Sequence, residues 1–233
     1  MGSQVHPTAI LGPGVELGMD TVVGPFAVLT GPCRIGDRAW IGASAVIGAA
    51  PEIRGHEPGL PWGGSTDDRG VEVGDDTILR EFTAMHRGTH RVTRVGSRCL
   101  VLNTCYIAHD VVIDDDVTLS PHVTVAGHAE IGAGATIGMA GTLHQRRLVG
   151  PGAMVGMGAV VTRDVPPYAT AYGSPARVRG VNEVGMRRSG IGEDDIAALA
   201  VRYDSPAAGP EPWTPPEALR AAWEWWRARA GTG

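Results

Sequence analysis

Between Tyr106 and Glu130 the chain reads "YIAHDVVIDDDVTLSPHVTVAGHAE", a stretch holding three of its eight histidines, His109, His122 and His128. His109 is followed directly by Asp110. An imidazole beside a carboxylate can move a proton: the carboxylate orients the ring and stabilises its cation, and the ring titrates near neutral pH. Histidines also bind zinc, so metal ligation is the rival chemistry. The choice between them turns on what lies beside His109 in space, which is set by the repeat around it.

That repeat has a period of six. From Val5 the chain places Leu11, Leu17, Val23, Leu29, Ile35, Ile41, Ile47 and Ile53 at steps of six, all aliphatic. The pattern resumes at Val73, Leu79 and Met85. It resumes again at Val95, from which twelve positions run without a miss to Val161, for twenty-four hexads in all. Neither a helix nor an alternating strand has this period. Short strands separated by turns do, when each strand sends one large apolar residue inward before the chain bends, and a repeat of this kind decides the fold. Four residues after each aliphatic a smaller slot is filled by residues such as Ala9, Thr21, Ala27, Cys33, Ala39, Thr77, Thr83, Thr89, Cys99 and Cys105. All three cysteines therefore belong to the core, and without paired C-x-x-C spacing they make neither a zinc site nor a disulfide framework. Two interruptions, Gly59–Glu72 and Arg91–Arg94, read as loops ejected from the repeat, where function tends to sit.

The pattern resembles the hexapeptide-repeat acyltransferases. That resemblance implies an all-β fold, a left-handed parallel β-helix of triangular section with three hexads in each 18-residue coil, and hence about eight coils here. Residues 18 apart then stack on adjacent coils about 4.8 Å apart. His109, Gly127 and Gln145 share one column, Asp110, His128 and Arg146 the next, and Ala108, Ala126 and His144 the one before. Allowing for the four-residue loop, Arg87 lies beneath His109 and His86 beneath Ala108. His86, His109, His128 and His144 are thus expected at one corner, with His122 on a different hexad. Four histidines beside a carboxylate favour a functional site over a decorated surface. Zinc is set aside, because the H-x-x-x-x-H spacing of trimeric β-helix carbonic anhydrases is absent and His86 and His90 straddle a loop. No metal is expected.

Composition narrows the partners. A net charge of −5 over 233 residues argues against a general nucleic-acid binder. Seven arginines between Arg146 and Arg188, against Asp164 and Glu183, make a local basic region that suits a phosphate or an acidic partner. No apolar run of about 18 residues occurs, so no membrane span is expected, and with no leader pattern the protein reads as cytoplasmic. After Pro166-Pro167 the hexads stop. "GEDDIAALAVRYD" and "TPPEALRAAWEWWRARA" read as two helices, the second with Thr214 as N-cap and with Leu219, Trp223 and Trp226 on one packing face. The domain plan is a β-helix over residues 1–178, with loops at 59–72 and 91–94, and a C-terminal helical region over residues 179–233.

A narrower resemblance rests on "VHPTAI", "VGPFAV", "MHRGT", "IAHD", "VTVAGHAEIG", "LHQ", "VTRDVPPY" and "GVNEVGMRR", which occur in that order over most of residues 5–190. These stretches are similar to those of the acyl-carrier-protein-dependent UDP-N-acetylglucosamine O-acyltransferases of lipid A synthesis. The resemblance implies that His109 is the general base toward the acceptor hydroxyl, that Asp110 orients it, and that the Gly127 N–H holds the oxyanion. It implies acceptor and acyl contacts from His128, His144 and Gln145, a phosphate contact from Arg188, and an acceptor contact from Asn182. It also implies a homotrimer and direct attack on a thioester carried on phosphopantetheine, with no resident cofactor.

The departures from that family fall on the acceptor side. Tyr106 stands where the family has a second histidine three residues before the base. The family's D-L-K segment is replaced by "PEIRGHEPGLPWGGSTDDRG", in which Arg54 approximates the lysine. Val184 follows Asn182-Glu183 where the family carries a glutamate. Met139 and Met157 occupy stacked positions at which many relatives have glycine, so the acyl groove is expected to end early. The expected activity is transfer of a short or medium acyl group, 3-hydroxylated or not, from acyl carrier protein to a UDP-amino sugar. The alternative is a related acyltransferase using acyl carrier protein or CoA on another hydroxyl or amine, for instance in a specialised-metabolite pathway.

Overall fold

The computed structural model describes residues 2–204 and 214–230. Within them the hexads become a parallel β-helix. Strands of two to four residues end on or just past each aliphatic position, and the chain turns through a tight corner before the next strand. Pairing runs at steps of 18, as in Val5↔Val23, Leu11↔Leu29 and Leu17↔Ile35. Among the described residues this gives three sheets of 10, 8 and 7 strands, visited in turn by every coil and called here the first, second and third sheet. The aliphatic of each hexad points into the shaft, and from Val23 to Val161 these side chains are essentially fully buried. Each buried Leu or Ile contributes about 1.5–3 kcal/mol of transfer free energy. In the first coil Val5 and Leu11 stay exposed, because no coil lies beneath them.

The small slot is occupied as expected by Thr21, Ala27, Cys33, Cys99 and Cys105. Burial pushes the Cys33 thiol up to about 12 and those of Cys99 and Cys105 to about 11, so all three are inert core residues. Thr89 departs from the slot. The insertion here spans residues 87–92 rather than Arg91–Arg94, and Thr93, fully buried, fills the slot in its place.

Ile53 is not a hexad. The strand Val46–Ala49 runs past the usual corner with Gly48 at φ 84°, and the chain leaves the coil at Ala50 and rejoins it at Val71. The large excursion is therefore residues 50–70, longer than the sequence suggested, and the repeat holds twenty-three strands among the described residues.

The corners explain where polar side chains collect. One residue in most corners adopts a left-handed backbone, including Asp110 at φ 62° and His128 at φ 61°. Asp, Asn, His and Gly tolerate that conformation best. The repeat thus lifts short polar residues out of the apolar shaft and stacks them in columns.

Past Pro166-Pro167 the hexad register is lost, but the coil is not. Ala169–Tyr172 adds one further parallel strand to the first sheet, with Val155 opposite Ala171 at a step of 16, and Arg177–Val181 then returns antiparallel to it. The first sheet therefore runs on to Val181, its last strand an antiparallel return and not a further coil. Among the described residues three helices follow: α1 (Glu183–Arg188), not foreseen from the sequence, α2 (Glu193–Asp204) and α3 (Arg220–Arg227), the last preceded by a 3-10 turn at Glu217–Leu219. Thr214 does not cap that turn; Pro216 occupies the cap position, without a side-chain bond. Residues 205–213 and 231–233 of the expected helical region lie outside the described residues. Leu219 and Trp223 bury against Met186, Ile191, Ile196 and Leu199, with Trp226 packed alongside, as the tryptophan face required. On its other side α3 docks on the β-helix: Trp225 Nε1 donates to Asp114 Oδ2 at 2.6 Å, and Arg229 Nε to Glu130 Oε2 at 2.7 Å.

Candidate active site

His109 and Asp110 form the corner between the second and third sheets, and the coil above supplies Gly127 and His128 to the same corner. The stacking is direct: His128 N–H donates to the His109 carbonyl at 3.1 Å and Arg146 N–H to the Gly127 carbonyl at 3.0 Å. The His109 ring rests on Gly127. A β-carbon there would come within 2.8 Å of both Cε1 and Nε2, so this glycine is required by close approach and not by its own backbone angles. Among the described residues nothing accepts the Gly127 N–H.

Asp110 is fully buried and saturated with donors. Its Oδ1 accepts the backbone N–H groups of Thr89, His90 and Arg91 at 2.8–2.9 Å, and its Oδ2 accepts the Thr89 hydroxyl and His109 Nδ1, both at 2.8 Å. Burial alone would raise this carboxyl. The N–H of Arg91, the His109 ring, the N–H of His90 and the Thr89 hydroxyl outweigh it and hold the pKa well below the usual carboxylate range. The insertion at 87–92 is therefore a cradle for one carboxylate. Because an ionised Asp110 can only accept, His109 Nδ1 carries the proton of the neutral ring and Nε2 presents a lone pair beside Gly127. Such a pair can take a proton from a hydroxyl at Nε2, with a free N–H nearby to receive a developing oxyanion.

The expected cluster of four histidines is only partly realised. The His128 ring stands edge-on to His109, with centroids 5.1 Å apart at 88°, and its pKa is lowered by burial against the opposing pull of Asp110. His144 and Gln145 lie one coil higher and are exposed, with His144 Nδ1 donating to the Gln145 carbonyl at 3.2 Å. His86 is not part of the group. It faces the Tyr106 ring at 5.3 Å, donates from Nδ1 to the Ala50 carbonyl at 2.7 Å and sets Nε2 3.0 Å from Glu52 Oε1. Arg87 does not present itself beneath His109 either. A bulge after Met85 turns its side chain inward, where Nε pairs with Asp68 Oδ2 at 2.8 Å and Nη1 donates to the Gly48 carbonyl. His90, weighed in the sequence only as a partner of His86, packs on His128 instead, with ring centroids 5.6 Å apart.

Sequence reasoning also missed Glu52. Its carboxylate accepts the Tyr106 hydroxyl as well as facing His86, and it stands two residues before Arg54, as the aspartate of D-L-K stands two before its lysine. That spacing was a usable signal. The rest of the excursion runs elsewhere: Ser65 N–H donates to the Gly31 carbonyl and Trp62 lies against Gly12, so the loop tip covers the two lowest coils.

The remaining candidates occupy other corners. Met139 and Met157, 50% and 78% exposed, project from the corner between the first and second sheets, stacked by the Gly158 N–H to Met139 carbonyl bond. Asn182 caps α1, accepting the Gly185 N–H at 3.1 Å and donating to the Gly152 carbonyl at 2.9 Å, near the corner between the third and first sheets. Arg188 ends the same helix and is exposed, as is Arg54 in the excursion. One chain does not bring these groups to His109.

Comparison with known proteins bears on this geometry. A family profile described as "Udp N-acetylglucosamine O-acyltransferase; Domain 2" matches residues 164–205. The acyl-(acyl-carrier-protein)–UDP-N-acetylglucosamine O-acyltransferase of Halorhodospira halophila is 36% identical over 222 residues, covering 86% of this chain and 83% of that protein. The enzyme of the same name from Bartonella tribocorum is 40% identical over 219 residues, covering 85% and 78%. A UDP-N-acetylglucosamine acyltransferase structure from Bacteroides fragilis superposes with a TM-score of 0.79 at 25% identity, covering 95% of this chain and 96% of that one.

Proposed function

The chain belongs to the UDP-N-acetylglucosamine O-acyltransferase family, and from that footing we propose that it transfers an acyl group from acyl carrier protein to a hydroxyl of a UDP-amino sugar such as UDP-N-acetylglucosamine. One observation carries the reading: His109 Nδ1 bonded to a buried, ionised Asp110, with the opposite edge of the ring against Gly127. His109 Nε2 takes the acceptor's hydroxyl proton as the oxygen attacks the thioester carbonyl. The oxyanion of the tetrahedral intermediate accepts the Gly127 N–H. As it collapses, the C–S bond breaks and the phosphopantetheine thiolate takes the proton back from His109. No acyl-enzyme forms and no resident cofactor takes part.

The working unit is a homotrimer. On the first and second sheets the outward position before each buried aliphatic carries no charged side chain, as at Trp40, Ile78 and Leu100 and at Val46, Thr124 and Val160, whereas the third sheet carries Glu16, Arg34, Glu72 and Arg94. Two unlike uncharged faces suit a cyclic ring, in which one face packs on the other of the next copy. That ring sets Met139 and Met157 near the axis, at the inner end of the interface. It sets the His109 corner of one copy beside the Asn182 and Arg188 end of its neighbour. The acyl chain then runs inward between copies toward the methionines, and the exposed Arg188 meets a phosphate of the nucleotide or of phosphopantetheine. Glu52, Tyr106, His128, His144 and Gln145 border the acceptor and acyl groups. Among the described residues no helix is long and apolar enough to cross a membrane, and both proposed substrates place the reaction in the cytoplasm.

Purified protein incubated with acyl carrier protein thioesters and UDP-N-acetylglucosamine, followed by mass spectrometry, tests this. An O-acylated nucleotide sugar supports the reading. Consumption of thioester only with another hydroxyl or amine acceptor moves the assignment to that acceptor.

A further inference from the structure

The insertion that cradles Asp110 also delivers a side chain with no part in the proposed reaction. His90 projects into solvent, 79% exposed, beside the Asp110 oxygen that accepts His109 and the Thr89 hydroxyl. Its Nδ1 is 4.0 Å from Asp110 Oδ2, and His128 Nε2 is 3.7 Å from the same oxygen. We propose that His90, Asp110 and His128 form a binding site for zinc or a similar divalent transition metal, and that occupancy withdraws Asp110 from His109 and switches the enzyme off.

Three ligand atoms, one from each residue, all lie within 4.8 Å of one another, and among the described residues no other three His, Cys, Asp or Glu side chains converge in this way. Two imidazoles and a carboxylate oxygen are a donor set that zinc accepts, with a fourth position left to water. Zinc ligands at about 2.1 Å in tetrahedral array stand roughly 3.4 Å apart. His128 Nε2 and His90 Nδ1 stand about 0.3 and 0.6 Å beyond that distance from Oδ2, and no separation among the three exceeds 4.8 Å, so closure requires the exposed His90 ring to leave the Thr89 hydroxyl and turn inward. The three N–H groups on Oδ1 supply the outer hydrogen bonds that orient a ligating carboxylate and leave Oδ2 as the coordinating atom. Two cations border the site: Arg91, which shares the Glu130 carboxylate with Arg229, and Arg146, which is exposed to solvent, where salt screens it.

Occupancy has a direct consequence at His109. Oδ2 now accepts the His109 Nδ1–H and the Thr89 hydroxyl, and the latter also bonds His90 Nδ1 at 2.9 Å. A metal on Oδ2 displaces these donors and sets a double positive charge beside the ring that must become a cation during transfer.

Metal binding stands on the geometry alone; inhibition rests on the acyltransferase reading. The test titrates the full chain with zinc against a chromophoric chelator, without substrates, and separately measures acyl transfer against free zinc. One zinc per chain is expected. His90→Ala, which keeps the backbone N–H that Asp110 accepts, should weaken binding at least tenfold and move the inhibition midpoint by the same factor, while His122→Ala on another corner should change neither. Failure to bind zinc at micromolar levels, or binding unaltered in His90→Ala, overturns the site. Zinc bound with undiminished turnover overturns the switch. Zinc bound by a chain that transfers no acyl group under any condition supports the site and counts against the acyltransferase assignment.

Discussion

The His109 ring lies against the backbone of Gly127, one coil above, so closely that a methyl group there would come within 2.8 Å of Cε1 and Nε2. No flexible chain end can yield, because the ring is held at Nδ1 by Asp110. Gly127→Ala should therefore tilt the ring away from the reacting hydroxyl and spoil the N–H presented to the oxyanion. A loss of about 10²–10³-fold in kcat is expected, with little change in the thermal midpoint. Wild-type turnover in this variant would remove Gly127 from the mechanism.

The depressed Asp110 carboxyl makes a stability prediction with a definite sign. Its pKa in the folded chain lies below the unfolded value of about 3.9, so its contribution is complete at neutral pH and is lost as pH falls below about 4 toward the folded value. Asp110→Asn should be less stable than wild type by about 1.5–3 kcal/mol at pH 7, the range for hydrogen bonds to a charged group. Denaturant unfolding from pH 7 down to pH 2.5 should show the gap narrowing in acid. A gap independent of pH would mean that the carboxylate's charge is not what the cradle stabilises.

The buried pair Arg87 and Asp68 latches the excursion at residues 50–70 onto the coils, with His56 Nε2 3.6 Å from the same carboxylate. Asp68→Ala leaves a buried guanidinium without its partner, a change that costs about 3–5 kcal/mol. The cost should appear as local opening of the excursion in hydrogen exchange while the coils stay protected. Glu52 rides on this segment, so the acceptor KM should rise and the donor KM should not. Equal effects on both substrates would assign the excursion a purely structural role.

Much of the fold could be read in advance because a single inward residue per strand leaves a period that no other structure shares. The hexads placed the strands, and steps of 18 placed His109 under Gly127. Departures from the period were harder to place. The sequence marks that residues have been inserted but not where, so Ile53 and Thr89 kept the apparent rhythm after the chain had left the coil. The same ambiguity hid the cradle: three backbone N–H groups on one oxygen have no residue signature, and His90 becomes a neighbour of His128 only once the insertion folds back. Helix α1 was missed because six residues held by an asparagine cap make too short a pattern to stand out.

Met139 and Met157 stack at the corner that the trimer would turn toward its axis. Each methylene that the acyl groove cannot bury forfeits about 0.8 kcal/mol, roughly a fourfold change in preference. Met139→Gly and Met157→Gly should each shift the best donor toward longer chains, read as kcat/KM over a series of acyl carrier protein thioesters. An unchanged length profile in both would leave the methionines as interface packing.

The account rests most heavily on His109 as the base, and its replacement is the most direct test. His109 sits on the corner outside the apolar shaft, so His109→Ala should keep the circular dichroism spectrum, the oligomeric state and, within about 1 kcal/mol, the stability of the wild type. Single-turnover acyl transfer to UDP-N-acetylglucosamine should fall by about 10²–10⁴-fold, the usual contribution of a positioned base. A folded His109→Ala protein that transfers acyl groups at the wild-type rate would contradict the mechanism.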